Sequence, residues 1–127
     1  MKKTAGLWII TLLLGGCGSG VYFEGVADGD TVKSPLKVEM GVCGMEVEPA
    51  GKVSEGKGHH HLIVDGTCVP KGEIVPKDAT HMHFGKGQTE TTLKLAPGKH
   101  TLTLQFANGV HASYGEEMCK SIAIKVE

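Results

Sequence analysis

The sequence contains no arginine, so all 13 of its basic side chains are lysines. Arginine is the bidentate reader of phosphates and guanine edges, and its absence argues against a nucleic-acid partner. Aromatic residues make up only 5% of the chain, and the single tryptophan is Trp8. The paired cysteine and tryptophan of an antibody core are therefore missing. None of the four cysteines forms a C-x-x-C pair, which excludes a thioredoxin-type redox centre. No apolar run reaches the roughly 20 residues needed to cross a bilayer as a helix. Catalytic signatures are equally scarce. There is no G-x-S-x-G elbow. Gly51-Lys52 has Glu46 where a phosphate loop needs its first glycine, and Val53 where it needs Ser or Thr. Asp28-x-Asp30 lacks the rest of a calcium loop and is expected to shape a turn. Glu46, Glu48, Glu116 and Glu117 read as solvated loop acids. Asp65 and Glu90 lie near histidines in sequence, but nothing marks either as a base. The chain is not expected to be an enzyme.

What is present begins with an address. Lys2 and Lys3 precede the short apolar run Ala5 to Leu14, and Gly15-Gly16-Cys17 follows, which is the layout of an export signal. The ending Leu14-Gly15-Gly16-Cys17 resembles the bacterial lipobox, in which the cysteine becomes the lipidated N-terminus. That resemblance implies a signal peptide over 1–16, a lipid on Cys17 and a tether over 17–20, with one domain over 21–127. The expected location is the cell envelope, anchored by the lipid, with Gly18 rather than aspartate after Cys17 favouring the outer membrane facing the periplasm. The expected partners are the membrane itself, through the lipid, and an envelope protein. Beyond Cys17, three cysteines meet an oxidising compartment, where one disulfide and one leftover thiol are expected. If strands alternate up and down, Cys43 and Cys119 lie at the same end, so Cys43–Cys119 is the expected pair.

Short alternating apolar runs separated by glycine-rich turns dominate the rest, and helical periodicity is almost absent. Val21-Tyr22-Phe23 opens a first strand. Leu36 to Val42 alternates apolar with polar or small residues. The glycine-rich stretch 44–58 reads as a long loop. His59 to Asp65, His81 to Phe84, Thr89 to Leu95, His100 to Phe106 and a last run burying Ile122, Ile124 and Val126 complete the set. About seven strands at this spacing predict an all-β, immunoglobulin-like β-sandwich.

Six of the seven histidines fall in three places: His59-His60-His61, His81-x-His83, and His111. Residues two apart in a strand share a face, so His59 with His61, and His81 with His83, form two imidazole pairs. Imidazole nitrogens suit copper and zinc, and these four are the expected metal ligands. Alternating strands would bring His111, Met45 and Met118 to the same end as weaker candidates, the methionines as soft donors. Parity adds a condition. With Leu62, Val64, Met82 and Phe84 inward, His60 is inward and both histidine pairs face solvent. They meet only if their strands are neighbours in one sheet. Neutral imidazole is the ligand, so binding is expected to weaken below about pH 6.5.

The stretches Gly58-His59-His60-His61-Leu62-Ile63-Val64-Asp65 and His81-Met82-His83-Phe84-Gly85-Lys86-Gly87-Gln88-Thr89-Glu90 resemble an uncharacterised family of exported bacterial domains, the domain of unknown function 4399. The likeness runs from about Val21 to the C-terminus and includes the turn at Pro97-Gly98. It implies the domain boundaries and the exported location, and it brings no activity with it. The cysteines at 43, 68 and 119 depart from the family pattern. Two functions remain open: an exported domain binding copper or zinc, and a non-catalytic envelope interaction module whose histidines are structural.

Overall fold

The computed structural model describes residues 18–127, so the signal segment and Cys17 lie outside the described residues. Nine strands form in chain order: β1 (Gly20–Glu24), β2 (Thr31–Val32), β3 (Leu36–Cys43), β4 (Glu46–Val47), β5 (Lys57–Val64), β6 (His81–His83), β7 (Glu90–Leu93), β8 (Gly98–Ala107) and β9 (Cys119–Val126). Among the described residues there is no α-helix, and one 3-10 turn, Glu116–Met118, precedes β9. A three-stranded sheet, β1-β3-β7, packs over a larger sheet ordered β2-β9-β8-β5-β4, with β6 added beside β5. This is the expected all-β, immunoglobulin-like sandwich. It carries two more strands than the patterning suggested, the two-residue β2 and, within the stretch read as a loop over 44–58, the two-residue β4.

The alternation explains the core. On β8, Leu102, Leu104 and Phe106 point inward and are fully buried, meeting Leu62 of β5, Ile122, Ile124 and Val126 of β9, and Val38 and Met40 of β3. Each such side chain contributes roughly 1.5–3 kcal/mol of burial. His60 shares the inward parity of Leu62 and sets its ring edge-on to Phe106 at 5.0 Å. Met118 belongs to the same core and Met45 packs against it.

The opposite face of the larger sheet is where expectation and structure part. Thr103, Gln105, His59 and His61 point outward from the core and are nevertheless buried. The excursion between β5 and β6 folds back over them. Val69 and Val75 from that excursion join Ile63 and Ala107 in a second small core. Residues 72–75 of the excursion lie against the loop after β8: Gly72 N–H donates to Ser113 O at 2.9 Å, Ser113 N–H to Glu73 O at 2.8 Å, and Val75 N–H to His111 O at 2.9 Å. Gln105 ties both layers down, accepting from Val69 N–H at 2.9 Å and donating to Gly115 O at 3.1 Å.

A disulfide staples this cover to the sheet, and it is not the expected one. Cys119 is bonded to Cys68, with Cα atoms 6.0 Å apart. The expected Cys43–Cys119 pair is thereby corrected, and no described cysteine is free. The physical reason is the excursion: it carries Cys68 across the outward face to the start of β9, a path that strand alternation does not encode. Closing 51 residues constrains the unfolded chain by about 4 kcal/mol in the loop-entropy account.

One close approach fixes the strand that carries the histidines. Gly58 lies so tightly against the Ala107 carbonyl and the Phe106 ring that no side chain fits there.

Candidate metal centre

The condition set by parity is met. β6 pairs antiparallel with β5, placing His83 directly opposite His61, while His59 lies opposite Ala107 on the other flank. Three of the four expected ligands, His59, His61 and His83, therefore share one face of one sheet. The rings of His59 and His61 lie 4.8 Å apart, those of His61 and His83 5.2 Å, and those of His59 and His83 5.0 Å.

His111 completes the cluster as a full member. Its ring centroid is 4.5 Å from His83, 5.0 Å from His59 and 5.8 Å from His61. It reaches there from a tight turn wound about Asn108, whose side-chain oxygen accepts from Val110 N–H and Ala112 N–H, each at 3.0 Å. The backbone N–H of His111 donates to Asn108 O at 2.8 Å, and His111 itself sits at φ 71. A non-glycine residue in the left-handed region costs on the order of 1 kcal/mol, and such strain persists where surrounding bonds over-determine it. Here the strain aims an imidazole.

The other candidates lie elsewhere. His81 is on the same face as His83 but one pair further along, opposite Ile63, and its Nδ1 lies 2.8 Å from the Asp78 carboxylate. No ring contact joins it to the four. Met118 belongs to the sandwich core and Met45 packs against that core. His100 is near the start of β8, beside the far end of β5, with Nδ1 2.9 Å from Asp65 Oδ2 and Nε2 2.8 Å from Ala96 O. That pair draws Asp65 away from the cluster, and Glu90 approaches Lys37 instead.

The nitrogens of the cluster converge. His59 Nε2 lies 3.1 Å from both His61 Nε2 and His111 Nδ1. One ligand atom from each of these three residues falls within 4.8 Å of the others. Two imidazoles bound tetrahedrally to one zinc would hold their nitrogens about 3.3 Å apart. Hydrogen bonding alone does not satisfy the group. A neutral imidazole has one donor and one acceptor. If His59 Nε2 accepts, its Nδ1–H is a buried donor with no partner; if it donates, it serves only one of its two neighbours. The Nδ1 atoms of His59 and His61 and the Nε2 of His83 are all buried without a hydrogen-bond partner. Buried polar atoms are satisfied in the great majority of cases, and of these exceptions the Nε2 of His83 is the one an ion beside the cluster would satisfy.

Burial sets the protonation state. His59 and His61 are 0% and 1% exposed. Desolvation, followed by repulsion from neighbouring imidazoles, pulls the pKa of His59 down to about 4 and that of His61 to about 3. His83 is lowered too, by desolvation first, then by His111 and Lys77. His59 and His61 are thus neutral, ligand-ready bases well below pH 6.5.

Gly85 and Asn108 are positioning residues that the histidine pattern does not reveal, although the turn dipeptide Asn108-Gly109 marks a bend beside His111. The ring of His83 rests directly on Gly85, where a Cβ would strike its Cε1 and Nε2. Gly85 has an ordinary negative φ, so Gly85→Ala should leave the backbone unstrained and push the ring aside. The expected result is a roughly tenfold or greater loss of metal affinity at little cost in stability. Titration in a His83→Ala background checks the route: there the same substitution should have no effect.

Comparison with known proteins adds the family and nothing on activity. No curated protein and no solved structure matches the chain. The match to the family spans residues 38–127, so it takes in both histidine motifs, His111 and the Cys68–Cys119 staple, and leaves β1 and β2 outside. The chain belongs to the family described as Domain of unknown function (DUF4399).

Proposed function

We propose that this chain is an exported, lipid-anchored envelope domain that binds one copper or zinc ion through His59, His61, His83 and His111, without catalysing a reaction. The observation that carries the reading is the convergence of His59, His61 and His111, whose ligand nitrogens lie within 4.8 Å of one another, with the ring of His83 packed beside them. A scavenger, carrier or sensor of metal in the envelope fits this arrangement. A hydrolytic zinc site needs a general base beside its ligands, and two acids near the histidines in sequence are engaged elsewhere, Asp65 with His100 and Asp78 with His81. Elemental analysis of protein purified without a histidine tag should find close to one equivalent of copper or zinc after loading. Protein that takes up neither would leave the interaction-module reading, with the histidines as packing elements.

The anchor has its own test. Cys17→Ser should move the protein from the membrane fraction to the soluble exported fraction. Unchanged membrane retention would remove the lipid from the proposal.

A further inference from the structure

We infer that the histidine cluster selects a monovalent ion, copper(I), over divalent zinc or copper(II). The inference rests on the metal-site reading above and concerns the charge that site accepts. Among the described residues, the only group of three or more side chains able to hold a metal is His59, His61 and His111. Every donor in it is neutral, and no carboxylate or thiolate stands among them. The nearby acids are spoken for: Asp78 by His81, and Glu46 and Glu48 by Lys57. Lys77 bears on His83 from outside the cluster, with the wrong sign to balance a cation.

Charge burial then discriminates between ions. The solvation cost of moving an ion out of water grows with the square of its charge, from an idealised value of order 20 kcal/mol for a unit charge. A dication in an all-neutral pocket therefore asks for an accompanying anion. Zinc held by three neutral histidines meets that need with a bound water or hydroxide in an open fourth position. Here a fourth imidazole borders the three: His83 lies 4.5–5.2 Å, centroid to centroid, from each of the other rings, and its Nε2 is buried without a hydrogen-bond partner. Copper(I) leaves a single positive charge and needs no anion. The selection comes from charge and not from soft donors, because Met118 lies in the sandwich core and Met45 packs against it.

Competition titration of the purified full chain tests this, using copper(I) under ascorbate without oxygen, silver(I) as a redox-inert stand-in, zinc(II) and copper(II). One equivalent of copper(I) or silver(I) should bind at least about a hundredfold more tightly than zinc(II), and more tightly than copper(II). His111→Asp adds an anion at a backbone position that aspartate tolerates. It should narrow or reverse the preference, whereas His111→Asn, neutral and equally tolerant there, should not. Zinc(II) or copper(II) binding as tightly as copper(I), and lost in His61→Ala, would overturn the monovalent inference and leave the metal site standing. No binding of any of the four ions would overturn both.

Discussion

His61→Ala is expected to abolish stoichiometric metal binding, while His81→Ala leaves it intact. His61 faces all three partners: its Nε2 meets His59 at 3.1 Å, His83 lies opposite it, and His111 closes the group. Four-ligand structural sites hold zinc with roughly 10–16 kcal/mol, so one ligand is worth about 3 kcal/mol, near a hundredfold in affinity. Losing a fully buried member removes more than that, because water enters beside the remaining donors. His81 touches Asp78 and none of the four rings. The measurement is equilibrium metal titration with circular dichroism as the folding control. A thermal readout runs alongside: metal at a thousandfold its Kd stabilises by about 4 kcal/mol, which should vanish in His61→Ala and persist in His81→Ala. Equal losses in both variants would mean that the four-ring cluster is not the site.

Acid should unfold the metal-free protein between pH 6.5 and about 4. Above pH 6.5 these imidazoles are neutral whether the chain is folded or not, so their titration changes nothing. Below it, the unfolded chain takes up protons that the folded one refuses, because burial holds His59 and His60 to a pKa of about 4 and His61 to about 3. Each such histidine withdraws about 1.4 kcal/mol per pH unit until the folded pKa is reached. Three together remove several kcal/mol by pH 5, a large part of the 5–15 kcal/mol typical of a domain. The exposed His100–Asp65 pair acts in the opposite sense on its histidine. Asp65 raises that pKa, so its contribution is present below pH 6.5 and fades as the pH climbs through the folded value. Urea midpoints measured from pH 7.5 to 4.5 should show the acid slope. His60→Leu should shallow it by one proton and add about 1–3 kcal/mol, because both ring nitrogens of His60 are buried without partners. A flat profile would contradict the neutral, buried state of these rings. Metal binding should also persist to about pH 5, below the limit near 6.5 that free imidazole implies.

The strand parity was legible in the sequence because period-2 alternation is a local property. It correctly places Leu62 and His60 on one face of β5 and His59 with His61 on the other. It cannot say what lies above the second face. The polar outward residues Thr101, Thr103 and Gln105 read as wet, yet Thr103 and Gln105 are wholly buried. The cover that buries them comes from pairing between residues 72–75 and 111–113 and from the Cys68–Cys119 bond, contacts set by three-dimensional closure. His111 stayed a weaker candidate for the same reason: its aim depends on a turn around Asn108 and not on a strand. His81 was overvalued because equal parity does not mean equal position along the strand. The two methionines were misplaced because an end-of-strand count ignores which face a side chain takes.

Three identical residues in a row cannot by themselves tell a folding chain which two are to be the ligands. If β5 slid by one position along β8, His60 would move to the cluster face, and His59 and His61 would enter the core. The chemistry of the row would look unchanged, while leucine and isoleucine traded faces. Gly58 removes that ambiguity. Its slot against the Ala107 carbonyl and the Phe106 ring admits no side chain, so a slide one way drives His59 into it and a slide the other way drives in Lys57. The residue with nothing to offer a metal is the indexing mark that decides which imidazoles meet one.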